Sequence, residues 1–411
     1  HIQVLQRAIV GDESTMIHYN DDSTLDTYFD APHSFEIALK FGSLTSVSTE
    51  DWYFGDQIIK LQNIDAIFSG NPTIGSVMSK QLSGSLFVGD FTSWSRLIDP
   101  SGTIPEDAVT VCQPVYLAWR CFLTAGAGMT AWHTEGPWYI KSSSYDPTTG
   151  VLSFSASDKL NNADSKYMKI DWRSCFKNDE ETCFMTAVAV DIATILGTPW
   201  NAASTDLLLA CNCSMPRPDD ETTMRELLRQ IGAVCGANVR LRWDGTYADG
   251  VLELVPFNNE GTSTSLSTRY GGVTLTERSD LSDYWDVCLT GGENGDALST
   301  HTEQTVVTCR YQAEVPFATN AMCDRILASI RGESAWRYQG YRITEALLDM
   351  RAEAGDRVAI SVPTWDGSER VYGLIIGQIV RSYDSACLAE VSAPDLSRRE
   401  VDPYVAEEWA E

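Results

Sequence analysis

The chain has no apolar run approaching the ~20 residues that a membrane-spanning helix requires, so no membrane span is expected. It is also short of cations. Thirty Lys and Arg stand against 57 Asp and Glu, a formal charge of -27. A protein that reads DNA or RNA carries a basic stripe to neutralise phosphates, and this balance excludes sequence-specific nucleic-acid binding while suiting a surface that repels phosphate. The five histidines, His1, His18, His33, His133 and His301, show neither HExxH nor paired metal spacing. Eleven cysteines form no CxxC pair, and their closest spacing is Cys211-Asn212-Cys213, so they read as small buried hydrophobes in a reducing cytosol. The start, His1-Ile2-Gln3-Val4, lacks methionine and the pattern of a signal peptide, and residue 1 is expected to mark processing or numbering.

Catalytic patterns are missing too. There is no GxSxG and no GxxxxGK[ST]; Ser174-x-x-Lys177 matches SxxK without companion motifs. Gly291-Gly292-Glu293-Asn294-Gly295-Asp296 has phosphate-loop glycines but no lysine and no following helix, and reads as a surface turn. Asp219-Asp220 and Asp280, Asp283 and Asp286 lack EF-hand spacing and read as solvated surface, while His133 before Glu135 reads as a loop residue. The expectation is a chain that is no enzyme, with no catalytic residue, cofactor or metal assigned.

What is present is strand periodicity. Trp138, Ile140 and Ser142 fall on one face of an extended segment, Leu152, Phe154 and Ala156 on one face of the next, and Asp146-Pro147-Thr148-Thr149-Gly150 supplies the reversal of a β-hairpin. Ahead of it lie runs at Phe35–Leu39 and Gln57–Leu61, a turn at Asn71–Gly75, and a long half-buried strand with Ile74, Met78, Leu82, Leu86 and Val88 on one side, interrupted by Lys80 and Gly84. Val111 to Phe122, with an edge-like Pro114, is one strand more.

After the hairpin the period changes. Phe184, Val188, Ile192, Ile195 and Leu196 recur at helical spacing before Gly197, and Met224, Leu227, Leu228 and Ile231 before Gly236, with Thr223-x-x-Glu226 as a capping box. A hairpin from Val239 to Phe257 follows. Strands return at Val273–Thr276, Tyr284–Thr290 and Thr305–Arg310, then a helix capped by Thr319 or Asn320 buries Met322, Ile326, Leu327 and Ile330. Tyr341 to Val391 is strongly β. The fold class is α+β, predominantly antiparallel β. The expected domains are an arm at 1–32, β domains at 33–160 and 257–395, an α+β domain at 161–256 between them, and an acidic tail at 396–411.

Four marks in this order resemble the phage tail hub family, the N-terminal part of tail-associated proteins of long-tailed phages, akin to the T-even baseplate hub protein. They are Thr73-Ile74-Gly75 opening a strand; Gly136–Ile140 with the hairpin and Ala156-Ser157-Asp158-Lys159-Leu160; Glu221 to Gly236 followed by Trp243-Asp244-Gly245; and Ala354-Gly355-Asp356-Arg357-Val358. The resemblance spans about residues 35–392. It implies two tube-type β-barrel domains flanking the α+β domain, so that a homotrimer presents six of them and adapts a sixfold tail tube to a threefold tip. The implied location is the virion tail tip, assembled in the host cytoplasm. The implied partners are a distal tail ring protein, the tape-measure protein end, and genomic DNA in transit only. Longer members continue into fibre or peptidase modules where this sequence stops, so a separate tip or fibre protein is expected as a further partner.

Twelve tryptophans set the rival reading, a receptor- or glycan-binding tail adhesin whose exposed indoles stack on sugars, with Trp52, Trp94, Trp132 and Trp365 in turn-like contexts. A wall-degrading enzyme is a third, although no carboxylate constellation nominates it.

Overall fold

The computed structural model describes residues 25, 28, 33–48, 52–68, 74–89, 113–123, 128–165, 182–219, 221–243, 247–256, 264–266, 274–278, 286–290, 297–301, 310–315, 317–331, 338–346, 350, 352–363, 369–382 and 387–394. The first block contributes β1 (His33–Phe41), β2 (Tyr53–Phe54), β3 (Ile58–Ala66), β4 (Gln81–Phe87), β5 (Pro114–Leu123), β6 (His133–Asp146) and β7 (Val151–Ser157). They lie in the order β3-β4-β7-β6-β5-β1-β2, each antiparallel to its neighbour. The hairpin of β6 and β7 turns at Asp146, whose carboxylate accepts hydrogen bonds from the Thr148 amide and the Thr149 hydroxyl, both at 2.8 Å. Alternation then sorts the faces: Leu82, Leu86, Leu117, Trp138, Ile140, Leu152 and Phe154 enter one core, while Gln81, Ser83, Ser85, Ser153 and Ser155 face away from it.

Four expectations are corrected here. The strand expected from Ile74 begins only at Gln81, with an isolated bridge of Val77 to Val239 ahead of it, and Lys80 is buried on the stripe instead of interrupting it. Ser142 leaves the face of Trp138 and Ile140, since a bulge between Ile140 and Ser142 shifts the register and Ser142 is exposed. Pro114 opens an internal strand between β6 and β1, and at the first position its missing N–H breaks no ladder. His133 is no loop residue; it opens β6 and stacks on Trp119 at 4.5 Å.

The middle block holds β8 (Thr182–Phe184), α1 (Met185–Leu196), α2 (Ala202–Ala210), β9 (Ser214–Pro216), α3 (Met224–Cys235), β10 (Ala237–Arg242) and β11 (Val251–Pro256). Helix α3 buries Met224, Leu227, Leu228 and Ile231, as its period requires, and packs on β10. Thr223 caps it by accepting from the Glu226 amide at 3.2 Å, but Glu226 contacts Arg229 at 3.4 Å, so half of the capping box is made. Phe184, expected on the buried stripe of α1, instead precedes that helix and is 65% exposed. Helix α2 carries its leucines consecutively, Leu207 to Leu209, and has no helical period to betray it; Asn201 caps it through the Ser204 amide at 2.8 Å.

The last block contains β12 (Thr264–Leu266), β13 (Thr274–Arg278), β14 (Asp286–Thr290), β15 (Ala297–His301), β16 (Arg310–Glu314), α4 (Asn320–Arg331), β17 (Tyr338–Ala346), β18 (Arg357–Pro363), β19 (Glu369–Ser382) and β20 (Cys387–Pro394). A three-stranded sheet, β15-β14-β16, packs on α4, which in turn meets α3. Thr319 accepts from the Met322 amide at 3.3 Å as the expected cap. The remaining strands run β13-β17-β20-β19, with β18 on β19 and β12 parallel to β18. Residues Gln378 to Ser382 of β19 pair with Ala66 to Gln62 of β3. First and last blocks therefore share one curled, predominantly antiparallel sheet of 13 strands.

Gly75 shows how closely the blocks meet. Its φ is +74°, and a Cβ there would lie 2.5 Å from the Arg229 carbonyl oxygen of α3. Gly75→Ala is expected to cost about 2 kcal/mol or more, from left-handed strain plus forced overlap. Gly55→Ala, whose Cβ would meet nothing within 4 Å, is the control expected to stay near wild type. Urea unfolding of both variants checks this, and equal midpoints would contradict it.

Candidate functional site

The structure gathers the four marks at one place, where the first, middle and last blocks abut. Around the first mark, the Gly75 amide donates to the Ala237 carbonyl at 2.9 Å, and Ser76 exchanges bonds with β10: its amide donates to Asn238 Oδ1 and its carbonyl accepts from the Val239 amide, both at 2.8 Å. From the second mark, the buried Trp138 ring sets its edge against Trp243 of the third at 4.4 Å. Asp158 accepts from the Lys80 amide at 2.9 Å and from the Leu160 amide at 3.1 Å. Of the fourth mark, Ala354 donates its amide to Asp65 Oδ2 at 2.8 Å across 289 positions of sequence. Gly355, at φ +95°, comes so close to Ile67 that a Cβ would lie 2.9 Å from its Cδ1.

Charged side chains fill the middle of this junction. Lys80 Nζ sits 2.5 Å from Glu353 Oε1, 3.9 Å from Asp65 Oδ2, and 4.6 Å above the Trp243 ring. Arg240 reaches Glu253 at 2.6 Å, Asp356 at 3.0 Å and Glu353 at 3.9 Å, and donates to the Ala354 carbonyl at 2.6 Å. Arg242 lies 3.5 Å from Glu353 and 3.7 Å from Glu253. Glu353 thus faces three cations. Around the rim, Arg225 of α3 clamps the carbonyls of Val77 and Leu160 and the carboxylate of Asp164. Arg381 of β19 donates to the Ala352 carbonyl. A second tie lies nearby, where Lys159 Nζ is 2.5 Å from Asp249 and the Tyr139 hydroxyl donates to the same carboxylate.

Burial and pairing compete at each group. Burial alone would pull Lys80 down, but the Asp65 and Glu353 carboxylates outweigh it and hold it above the usual lysine value. Burial likewise opposes Arg240, which Glu253, Asp356 and Glu353 keep charged. Glu253 goes below the ordinary carboxylate value because Arg240 and Arg242 overcome its burial. Asp356 goes up, since burial prevails over Arg240. Burial also raises Glu135, which accepts from the Trp119 indole at 2.9 Å, and it pushes Asp158 up to about 7. Lys80, Asp65, Glu353 and Asp158 are each at most 3% exposed, so they are bonded to one another and to backbone amides inside the junction.

Lys80 reads in sequence only as an interruption of a strand, and Asp65, Arg240, Glu253 and Glu353 read as ordinary charges within or beside strand-like runs. Their signal was a charge set inside an apolar strand, as in Val239-Arg240-Leu241. Asp219 caps a turn, accepting from the Glu221 amide at 3.0 Å and the Thr222 hydroxyl at 2.6 Å. Among the described residues no group of three or more His, Cys, Asp or Glu is placed to hold a metal ion, and no helix is long and apolar enough to cross a membrane. Cys121, Cys211, Cys235 and Cys323 are buried thiols, and Cys183 and Cys213 half-buried ones. Trp52 is buried, with its indole donating to the Ser46 carbonyl at 3.2 Å, and Trp132 lies under the Arg120 guanidinium at 4.5 Å. Ser174, Lys177, Asp220, Asp280, Asp283, 291–296, Trp94, Trp365, most of the arm and the tail 396–411 lie outside the described residues.

No protein-family model and no curated protein matches the chain. Solved structures do. A tail protein from Neisseria meningitidis MC58 superposes with a TM-score of 0.51 at 10% identity, over 87% of this chain and 96% of its own. The 43 kDa tail protein of prophage MuSo2 from Shewanella oneidensis gives 0.46 at 14% identity, over 87% and 97%. A prophage tail protein from Listeria monocytogenes EGD-e gives 0.45 at 11%, over 90% and 98%. The first of these likenesses establishes the fold, across nearly the full length of both chains.

Two measurements test the junction. Glu353→Ala takes from Lys80 its 2.5 Å carboxylate partner, leaving Asp65 at 3.9 Å, and weakens the pairing of Arg240 and Arg242; it is expected to cost about 3–5 kcal/mol in urea unfolding, the range for breaking a buried pair; a loss under about 1 kcal/mol, typical of an exposed pair, would contradict it. Asp158 is expected to titrate near 7 by carbon-detected NMR. Because that value stands above the ~3.9 of an unfolded aspartate, the fold holds an extra proton between about pH 4 and 7, and this residue makes stability fall as pH rises through that window. A midpoint near 4 would contradict the burial argument.

Proposed function

We propose that the chain is a structural tail-tip hub of a bacteriophage: a homotrimer whose six tube-type β-barrel domains, 33–160 and 257–395 of each copy, adapt a sixfold tail tube to a threefold tip, with the α+β domain 161–256 between them. The observation that carries this reading is the single 13-stranded sheet, in which an N-terminal and a C-terminal β block meet at β3 and β19 beside a buried ionic junction. A tube adaptor must hold two barrels at a fixed angle, and ladder bonds plus buried charge pairs give a rigid joint where a linker would give a hinge. The fold shared with the Neisseria tail protein supports the same reading. In it the distal tail ring and the tape-measure end bind above, a separate tip or fibre protein below, and DNA passes through on ejection. The role is structural and not enzymatic, in a virion assembled in the host cytoplasm.

The adhesin alternative needs open indole faces. Of the four tryptophans it relied on, Trp52 is buried and Trp132 is covered by Arg120, which favours the hub.

Charge supplies the mechanism of passage. Three copies triple the formal -27, and carboxylates lining a channel would repel phosphates and release no condensed counterions, so that DNA slides. The outward face of β4 and β7, with Gln81, Ser83, Ser85, Ser153 and Ser155, carries no acid and belongs in this scheme against neighbouring subunits. Imaging of the tail tip is expected to show a threefold ring with more Asp and Glu than Lys and Arg on the channel wall, and Lys replacements there are expected to slow genome ejection without blocking assembly. A sixfold ring or a monomer would overturn the hub. A channel lined by the serine face would remove the sliding mechanism and leave the hub standing.

A further inference from the structure

The ends of α2 and α3 bring three cysteines together beside a guanidinium. Cys211 caps α2, its amide donating to the Leu207 carbonyl at 3.0 Å, and Cys235 is the last residue of α3 before the left-handed Gly236. Both side chains belong to the main apolar core, at 3% and 4% exposure, and their thiols are hydrogen-bonded to each other. Arg325 of α4 closes the third side. It donates to the Cys211 sulfur and, at 3.5 Å, to the carbonyl of Val234, the residue before Cys235. Cys213 stands half-buried two residues on, where its carbonyl accepts from the Met185 amide at 2.9 Å. Buried structural thiols are inert among apolar neighbours, whereas a cation set against sulfur marks a reactive one.

We propose that Cys211 and Cys235 form an oxidation site, at which hydrogen peroxide converts the two thiols into a disulfide that ties the end of α2 to the end of α3. Their surroundings set the order of the steps. The hydrogen bond from Cys235, aided by Arg325, outweighs burial and lowers the Cys211 thiol below its ordinary value, so Cys211 supplies the thiolate. The same hydrogen bond and burial drive Cys235 up, and burial pushes Cys213 up to about 11, so both keep their protons. Cys211 is also the nearer to solvent, since it lies between exposed Ala210 and Asn212. Its sulfur attacks one peroxide oxygen, the O–O bond breaks, and the departing hydroxide takes up a proton to leave as water. Cys211 is then a sulfenic acid. The Cys235 sulfur displaces its hydroxyl, which leaves with the Cys235 proton as a second water while the S–S bond forms; two electrons have passed from the thiols to the peroxide. The sulfurs must close from hydrogen-bond contact to about 2 Å, a shift that the helix-end turn at Cys211 absorbs. The cross-link fastens α3 two residues ahead of Ala237, whose carbonyl takes the Gly75 amide at the junction.

The test treats the full chain at neutral pH with a stoichiometric amount of hydrogen peroxide, blocks the remaining thiols, and maps disulfides by mass spectrometry. The expected product joins Cys211 to Cys235 within one chain and is reversed by dithiothreitol. Without peroxide, isotope-coded iodoacetamide is expected to alkylate Cys211 about tenfold faster than Cys235 or Cys213. Cys235→Ser removes the second sulfur at nearly constant size, and dimedone is then expected to trap a sulfenic acid at Cys211. A disulfide between other cysteines or between two copies, no disulfide at all, equal alkylation rates, or a sulfenic acid elsewhere in the variant would each overturn the proposal. The mapping on the unaltered chain decides the matter even where the variant fails to fold.

Discussion

A charge taken out of water must meet its opposite, and in this protein the partners come from parts of the chain far apart in sequence. Glu353 belongs to the last block, Lys80 to the first, and Arg240 and Arg242 to the middle one, and Glu353 lies within 4 Å of all three cations. Burying them costs several kcal/mol per ion before pairing, so the arrangement is weakly stabilising as a whole and strongly penalising if any one member is withdrawn. That asymmetry selects a single relative placement of the three blocks.

The rest of the architecture conforms to that point. Gly75 and Gly355 have no side chain because α3 and Ile67 come within contact of their backbones, and the amides beside them are then close enough to bond Ala237 and Ile376. The 352–356 stretch is tied to the first block by Lys80 on Glu353 and by the Ala354 amide on Asp65, beside the pairing of β19 with β3. Aromatic packing of Trp138 on Trp243 closes the same joint from the hairpin side. The four sequence marks are thus the contact points of one interface, which explains why their order and spacing carried more information than any of them alone.

Local chemistry was legible in the sequence. The β6–β7 hairpin, the stripe and cap of α3, and Thr319 before α4 follow from turn residues, period and capping, which act within a few positions. What escaped was set at long range. Periodicity placed Ile74 in a strand, but the inward Lys80 is met by Asp65, by Trp243 and by Glu353, 273 positions away. The pairing of β3 with β19 leaves no trace in either strand, since both are ordinary apolar alternations. Ser142 was lost to a one-residue bulge, and α2 to three consecutive leucines whose burial is decided by what packs on them. The site suffered most, because a buried ion pair looks in sequence like two surface charges.

The central claim is that the two β blocks and the α+β block behave as one rigid body. Native-state hydrogen exchange in increasing urea tests it most directly, by comparing the β3–β19 amides at 62–66 and 378–382 with those of the β6–β7 hairpin and of β10. If the junction locks the blocks, all three sets converge on one opening free energy and exchange only through global unfolding. A separate, lower-energy opening of β19 from β3, with the hairpin still protected, would contradict it.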